Sequence, residues 1–195
     1  MHSGPFNAKV MIVGEAPGEM EEKLGQPFVG QSGQELTRML SEAGIARDSC
    51  YITNVCPKRP PNNDIEFFIS KTKSKIKPGM IAYADRWAAP QVHQGIADLA
   101  QAIELVKPNL IIALGDTALW ALTALSGQPK SGIVSWRGSI LEYKHPILSH
   151  SCKILPTYHP AAILRMWPWR WIVVHDLRRA AAEADSNVLT LPDYR

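Results

Sequence analysis

Three short segments carry side chains able to do chemistry. In PTYHPAAILR, Pro156–Arg165, His159 follows an apolar run and precedes a proline. An imidazole in that place can donate or accept a hydrogen bond near neutral pH. Ile163, Leu164 and Arg165 trail it, an apolar wedge with a cation behind it. In TNVCPKRPPNND, Thr53–Asp64, Asn54 offers both a donor and acceptors, so it can pair with the edge of a base. Lys58 and Arg59, beside the rigid Pro60–Pro61, are placed to contact phosphate. In GEAPGEMEEKLGQPFVGQSG, Gly14–Gly33, glycine and proline shape a turn whose backbone N–H groups can face a ligand, and Phe28 offers a flat surface for stacking.

Each signal also has a plainer reading. A glycine-rich turn after a strand often only makes a tight corner, and a loop asparagine is commonly a turn residue. An acidic residue just after such a turn favours a helix N-terminus whether or not it does chemistry. The glycine spacing is neither G-x-G-x-x-G nor a P-loop, which removes the two commonest phosphate-binding assignments.

The elements that must position these segments alternate. Lys9–Gly14, Tyr51–Val55 and Asn109–Gly115 are short apolar runs ending in turn residues, and Lys153–Tyr158 is a fourth; all read as buried strands. Gln34–Glu42, Gln94–Val106, Thr117–Leu125 and Trp171–Ala184 read as helices. Strands alternating with helices predict an α/β fold with a parallel sheet covered on both faces. Ligands of such sheets bind beyond the carboxyl ends of the strands. That rule puts Glu15–Gly18, Asn54–Pro61, Asp116 and His159–Arg165 on one rim. Residues 62–90 show no clear period and carry Lys71, Lys73, Lys75 and Lys77, so they read as an insertion. A flexible tail is expected from about Asp185.

The 195 residues suit one domain with its own core, and 46% hydrophobic against 20% charged residues exclude a disordered chain. A net charge of +3 decides little about nucleic acid; local clustering matters more. Cys50, Cys56 and Cys152 are too few and too far apart for a disulfide framework or a four-cysteine metal site. Neither a leader peptide nor a membrane span is evident. The expectation is a cytoplasmic monomer with reduced thiols, no membrane association and no metal.

Taken in order, GEAPG, PFVG, TNV, KRPP, ALG and HPAAILR resemble the uracil-DNA glycosylase superfamily, most closely its family four, the thermostable bacterial and archaeal type with phage relatives. The resemblance covers roughly residues 10–59 and 108–182. It implies a three-layer α/β/α sandwich around a four-stranded, mostly parallel sheet. It also implies hydrolysis of the bond between deoxyribose and uracil in DNA, after the nucleotide is flipped out of the duplex. Carried over by motif, Glu15, Ala16, Pro17 and Gly18 lie beneath the sugar and base, Phe28 stacks on uracil, and Asn54 reads its edge. His159 donates to uracil O2, while Lys58, Arg59, Ile163, Leu164 and Arg165 meet the DNA, Ile163 as the wedge. Arg170 and Trp167 are further candidates for contact with phosphate or for stacking. The family's most active branch has a water-positioning aspartate where Ala16 stands, which leaves Glu15 and Glu21 as candidates for that task.

One departure concerns a cofactor. Family four holds a four-iron, four-sulfur cluster through four cysteines, two of them before the first strand. Here no cysteine precedes Cys50, and Lys58 stands beside Arg59–Pro60–Pro61 where the family has a cysteine. No cluster is expected. The alternative to a glycosylase is a module of the same fold that binds uracil or DNA with little catalysis. A covalent uracil-trapping relative is disfavoured, because its Lys-Arg-Arg-Ile-His run is missing after Asn63. A small-molecule nucleotide-binding enzyme rests on fold analogy alone.

Overall fold

The computed structural model describes residues 1–147 and 149–189. In chain order the strands are β1 (His2–Ser3), β2 (Val10–Gly14), β3 (Tyr51–Asn54), β4 (Ile69–Ser70), β5 (Ile81–Tyr83), β6 (Arg86–Ala88), β7 (Leu110–Leu114), β8 (Leu141–Lys144) and β9 (Ser151–Thr157). The helices are α1 (Glu19–Leu24), α2 (Gln31–Glu42), α3 (Pro90–Val106), α4 (Asp116–Leu125), α5 (Ile133–Trp136), α6 (Pro160–Ile163) and α7 (Arg170–Glu183).

The main sheet has six strands in the order β1-β3-β2-β7-β9-β8 rather than the expected four. The four strands legible in the sequence are its parallel centre, and β1 and β8 add antiparallel edges. Those edges escape a periodicity search because one is two residues long and the other, LEYK, is mostly polar. β2 reads as an unbroken apolar run because both its faces are covered. Along it, Met11 and Val13 face a core shared with α3 and α4, while Val10 and Ile12 face one shared with α2 and α7. The period of two thus feeds two separate cores, one on each face of the sheet.

The insertion is ordered rather than an irregular loop. β4, β6 and β5 form a small antiparallel sheet. Trp120 of α4 anchors it by donating from Nε1 to Asp85 at 2.8 Å. The buried Arg86 guanidinium stacks over the same indole at 4.6 Å and reaches Asp116 Oδ2 at 2.9 Å. Of the tail expected to fray, Asp185 pairs with Lys9 at 2.9 Å and Asn187 donates to the Ser151 carbonyl at 3.1 Å. Residues 190–195 lie outside the described residues.

Candidate active site

A cleft of about 430 Å³ opens at the carboxyl ends of β2, β3, β7 and β9. Glu15, Ala16, Pro17, Gly18, Glu21, Phe28, Asn54, His159 and Arg165 all line it, together with Asp116, Pro60 and Asn63. Segments more than a hundred residues apart meet there because parallel strands bring all their carboxyl ends to one edge.

The register sets the innermost contact. Gly14 at the end of β2 sits opposite Asn54 at the end of β3. Beyond the strands the pairing continues, as Val55 N–H donates to the Gly14 carbonyl at 3.0 Å and Cys56 N–H to the Glu15 carbonyl at 2.8 Å. A Cβ on Gly14 would lie 2.3 Å from Asn54 Oδ1 and 2.5 Å from Phe28 Cζ, so only glycine lets the amide and the ring approach this closely. Asn54 Oδ1 is buried without a hydrogen-bond partner in the protein. An orphaned buried acceptor costs about 1–3 kcal/mol, and a donor on a ligand's edge would recover it.

Phe28 adopts φ of 55°, which bulky residues rarely take. Its neighbours impose it. Arg47 Nη2 donates to the Pro27 and Phe28 carbonyls, both at 3.0 Å. Glu21 Oε1 accepts from the Val29 and Gly30 N–H groups at 2.9 and 2.8 Å. A Cβ on Gly33 would strike the Phe28 carbonyl at 1.9 Å, so glycine there lets α2 pack directly against the Phe28 backbone. Glu21 thus braces the Phe28 turn through Oε1 while it also lines the cleft. Arg47 was not legible as a site residue, because the loop it holds begins twenty residues earlier.

His159 lies two residues beyond the end of β9 and caps α6, where its Nδ1 accepts from the Ala161 N–H at 3.2 Å. With Nδ1 accepting, the ring proton belongs on Nε2, which becomes a donor. Burial, helped by Arg165, pushes the imidazole down to about 4, so it is neutral at physiological pH. Phe28 lies across from it with ring centroids 5.7 Å apart. Two residues back, Thr157 donates to the buried Asp176 at 2.7 Å, and Asp176 also holds Arg137. This pins the strand end that carries His159.

Glu15 is half-buried and accepts from the Thr117 hydroxyl at 2.5 Å. Burial raises its pKa above the ordinary carboxylate value, although the Thr117 bond opposes the rise. Asp116, also on the rim, is neutralised by Lys71 at 2.7 Å, Arg86 at 2.9 Å and the Gly132 N–H at 2.6 Å, and its pKa is lowered by these partners against burial.

The basic and apolar candidates divide. Arg165 and Lys58 are exposed. Arg59 turns back onto Asn63 at 2.8 Å and sits 3.8 Å from both Glu19 and Glu22. Ile163 cannot be a wedge, because it is 0% exposed in the core beneath α6. Leu164 beside it is 46% exposed and is the apolar side chain that reaches solvent. Arg170 is not free for phosphate either, since it is buried against Glu35 at 2.6 Å and against Glu42.

The three cysteines do not fit a cluster. Cys50 is buried on the α2 side of the sheet, and Cys56 and Cys152 are buried on the other. Among the described residues no group of three or more His, Cys, Asp or Glu side chains is placed to hold a metal ion.

Fold and cleft together define an α/β protein with a polar, aromatic-lined cleft at the carboxyl edge of its parallel strands. Residues 1–178 match the model of the Uracil DNA glycosylase superfamily, and the chain belongs to that superfamily. It is 32% identical over 192 residues to the Type-4 uracil-DNA glycosylase of Saccharolobus solfataricus, spanning 98% of this chain and 78% of that one. To the Type-4 uracil-DNA glycosylase of Pyrobaculum aerophilum it is 37% identical over 162 residues, spanning 83% and 71%. It is also 26% identical over 197 residues to a DNA polymerase of Bacillus phage SP01, where the match spans 98% of this chain and 18% of the polymerase.

Gly14→Ala should drive its new methyl group into Asn54 and Phe28 and lower the unfolding free energy by about 1–3 kcal/mol. Urea denaturation checks this, and a stability equal to the wild type would mean that the contact gives way freely.

Proposed function

We propose that this protein is a DNA repair enzyme, a monofunctional uracil-DNA glycosylase. It takes a flipped uracil into the cleft and hydrolyses its N-glycosidic bond, leaving an abasic site. The observation that carries this reading is the pairing, in one cleft, of a buried amide whose acceptor has no partner with a neutral histidine whose Nδ1 is already engaged.

Uracil presents a donor at N3 flanked by carbonyl acceptors. Asn54 Oδ1 accepts from N3–H and its NH₂ donates to the neighbouring carbonyl, whereas cytosine offers an acceptor and a donor in the opposite places. Phe28 supplies the stacking face. When the bond between the sugar C1′ and uracil N1 breaks, its electron pair goes to the base and negative charge gathers on O2. His159 Nε2–H donates to that oxygen. A neutral imidazole can do this as a fixed dipole in a dry site without giving up its proton, and such a donor is worth about 3–4 kcal/mol. Glu15, with one carboxylate oxygen held by Thr117, uses the other to accept the proton of the water that attacks C1′. Ala16, Pro17 and Gly18 line the floor, Leu164 takes the place of the base left behind, and Lys58 and Arg165 contact phosphates. Arg59 joins them by giving up its contacts to Glu19 and Glu22.

The enzyme uses no metal or cluster; the buried thiols and the insertion packed on Trp120 and Asp116 support that part of the reading. It acts as a monomer in the cytoplasm. The two short antiparallel edge strands leave little sheet edge for a second copy to extend, and the three cysteines stand unpaired.

With an oligonucleotide carrying one deoxyuridine, followed by alkali to cut abasic sites, the wild type should cleave. His159→Ala and Asn54→Ala should each lose on the order of a hundredfold or more in rate. Binding without cleavage by the wild type would instead favour the binding module. Because Glu15 acts ionised and its pKa is raised by burial, the rate should fall as pH drops through a value above 4.5. Glu15→Gln should lower the plateau about a hundredfold and abolish that acid limb; a limb that persists in the variant assigns the titration elsewhere. The purified protein should be colourless, and broad visible absorption with bound iron would overturn the cluster-free reading.

A further inference from the structure

The segment MWPWRW, Met166–Trp171, is the motif that the cleft does not absorb. Its three tryptophans have different fates. Trp169 is the anchor, stacked on Tyr158 with centroids 4.7 Å apart and planes 22° apart, directly beside the catalytic His159. Trp167 and Trp171 face solvent, 58% and 66% exposed. Indoles are large and ordinarily well buried, so two this exposed on one short turn need an occupant.

Arg170 holds both. Its guanidinium carbon lies 5.4 Å from the Trp167 ring centre and 5.6 Å from that of Trp171. Its nitrogens are spent on Glu35 and Glu42. The arginine therefore fixes two flat apolar faces and, with Arg38 on Glu35 at 3.3 Å, offsets the charge of the two carboxylates it pairs with, which would otherwise repel a polyanion. Leu164 and the exposed Arg165 join this patch to the rim of the cleft without a break in the chain.

We infer that Trp167 and Trp171 form a stacking platform for unpaired bases flanking the flipped uridine, which makes single-stranded DNA a preferred form of the substrate. The inference rests on the glycosylase reading for its uridine. The platform itself rests on the two clamped indoles and their continuity with the cleft. Paired bases already stack on their own neighbours and hide their faces, whereas unpaired bases offer a π-face irrespective of sequence.

A labelled oligothymidine, which contains no uracil, is titrated into the wild type, Trp167→Ala, Trp171→Ala and the double variant Trp167→Phe/Trp171→Phe. Uracil release from single- and double-stranded deoxyuridine oligonucleotides is measured on the same proteins. Each alanine variant should raise Kd for oligothymidine, and KM for the single-stranded substrate, about tenfold. The ratio of single- to double-strand efficiency should fall with it, and the phenylalanine variant should keep most of the affinity. Alanine variants with wild-type Kd, or a phenylalanine variant as weak as the alanine ones, would overturn the platform while leaving uracil release in place. Oligothymidine binding that depends on the indoles, in a protein that releases no uracil, would support the platform and sink the glycosylase reading.

Discussion

The site depends on one missing methyl group. Because Gly14 has no Cβ, the Asn54 amide and the Phe28 ring close over the end of β2 at distances no other residue would allow. Parallel pairing sets Gly14 opposite Asn54, and the cores on both faces of the sheet hold that register. A slip of one residue would turn every strand side chain to the wrong face. The stiffness of the sheet is thus what keeps the Asn54 amide oxygen buried without a partner instead of relaxing toward water.

Around that point the carboxylates have been assigned partners. Glu21 is taken up by two backbone amides, Asp116 by two cations and an amide, Asp176 by Arg137 and Thr157, and Glu35 and Glu42 by Arg170. A surface that must accept a polyanion gains from such neutralisation, since free acids at its edge would repel phosphate. Glu15 stands apart from this pattern. Its firm partner is a neutral hydroxyl, and burial favours its protonated form, the combination expected of a group that handles a proton.

The insertion gives the rim part of its charge balance. Lys71 and Arg86 converge on Asp116 from a segment locked to Trp120, so a stretch without visible period buttresses one rim residue of the cleft from behind. The cross-links are the Arg86–Asp116 ion pair and the Trp120 indole, while the cysteines are divided between the two cores.

The sequence by itself determined the α/β class, the four central strands and the three segments whose residues meet in the cleft. Those features depend on local periodicity and on the rule that parallel strands gather their carboxyl ends at one edge. It did not reveal β1, β8 or the insertion's sheet, whose strands are too short or too polar to show a period. Only the tertiary structure decided between neighbours. On the single turn of α6, successive side chains point about 100° apart, so Ile163 enters the core while Leu164 reaches solvent. Glu21 became a brace and Arg170 a clamp for the same reason. Whether a charged side chain is free or engaged depends on partners many residues away, and only the folded chain brings those partners within reach.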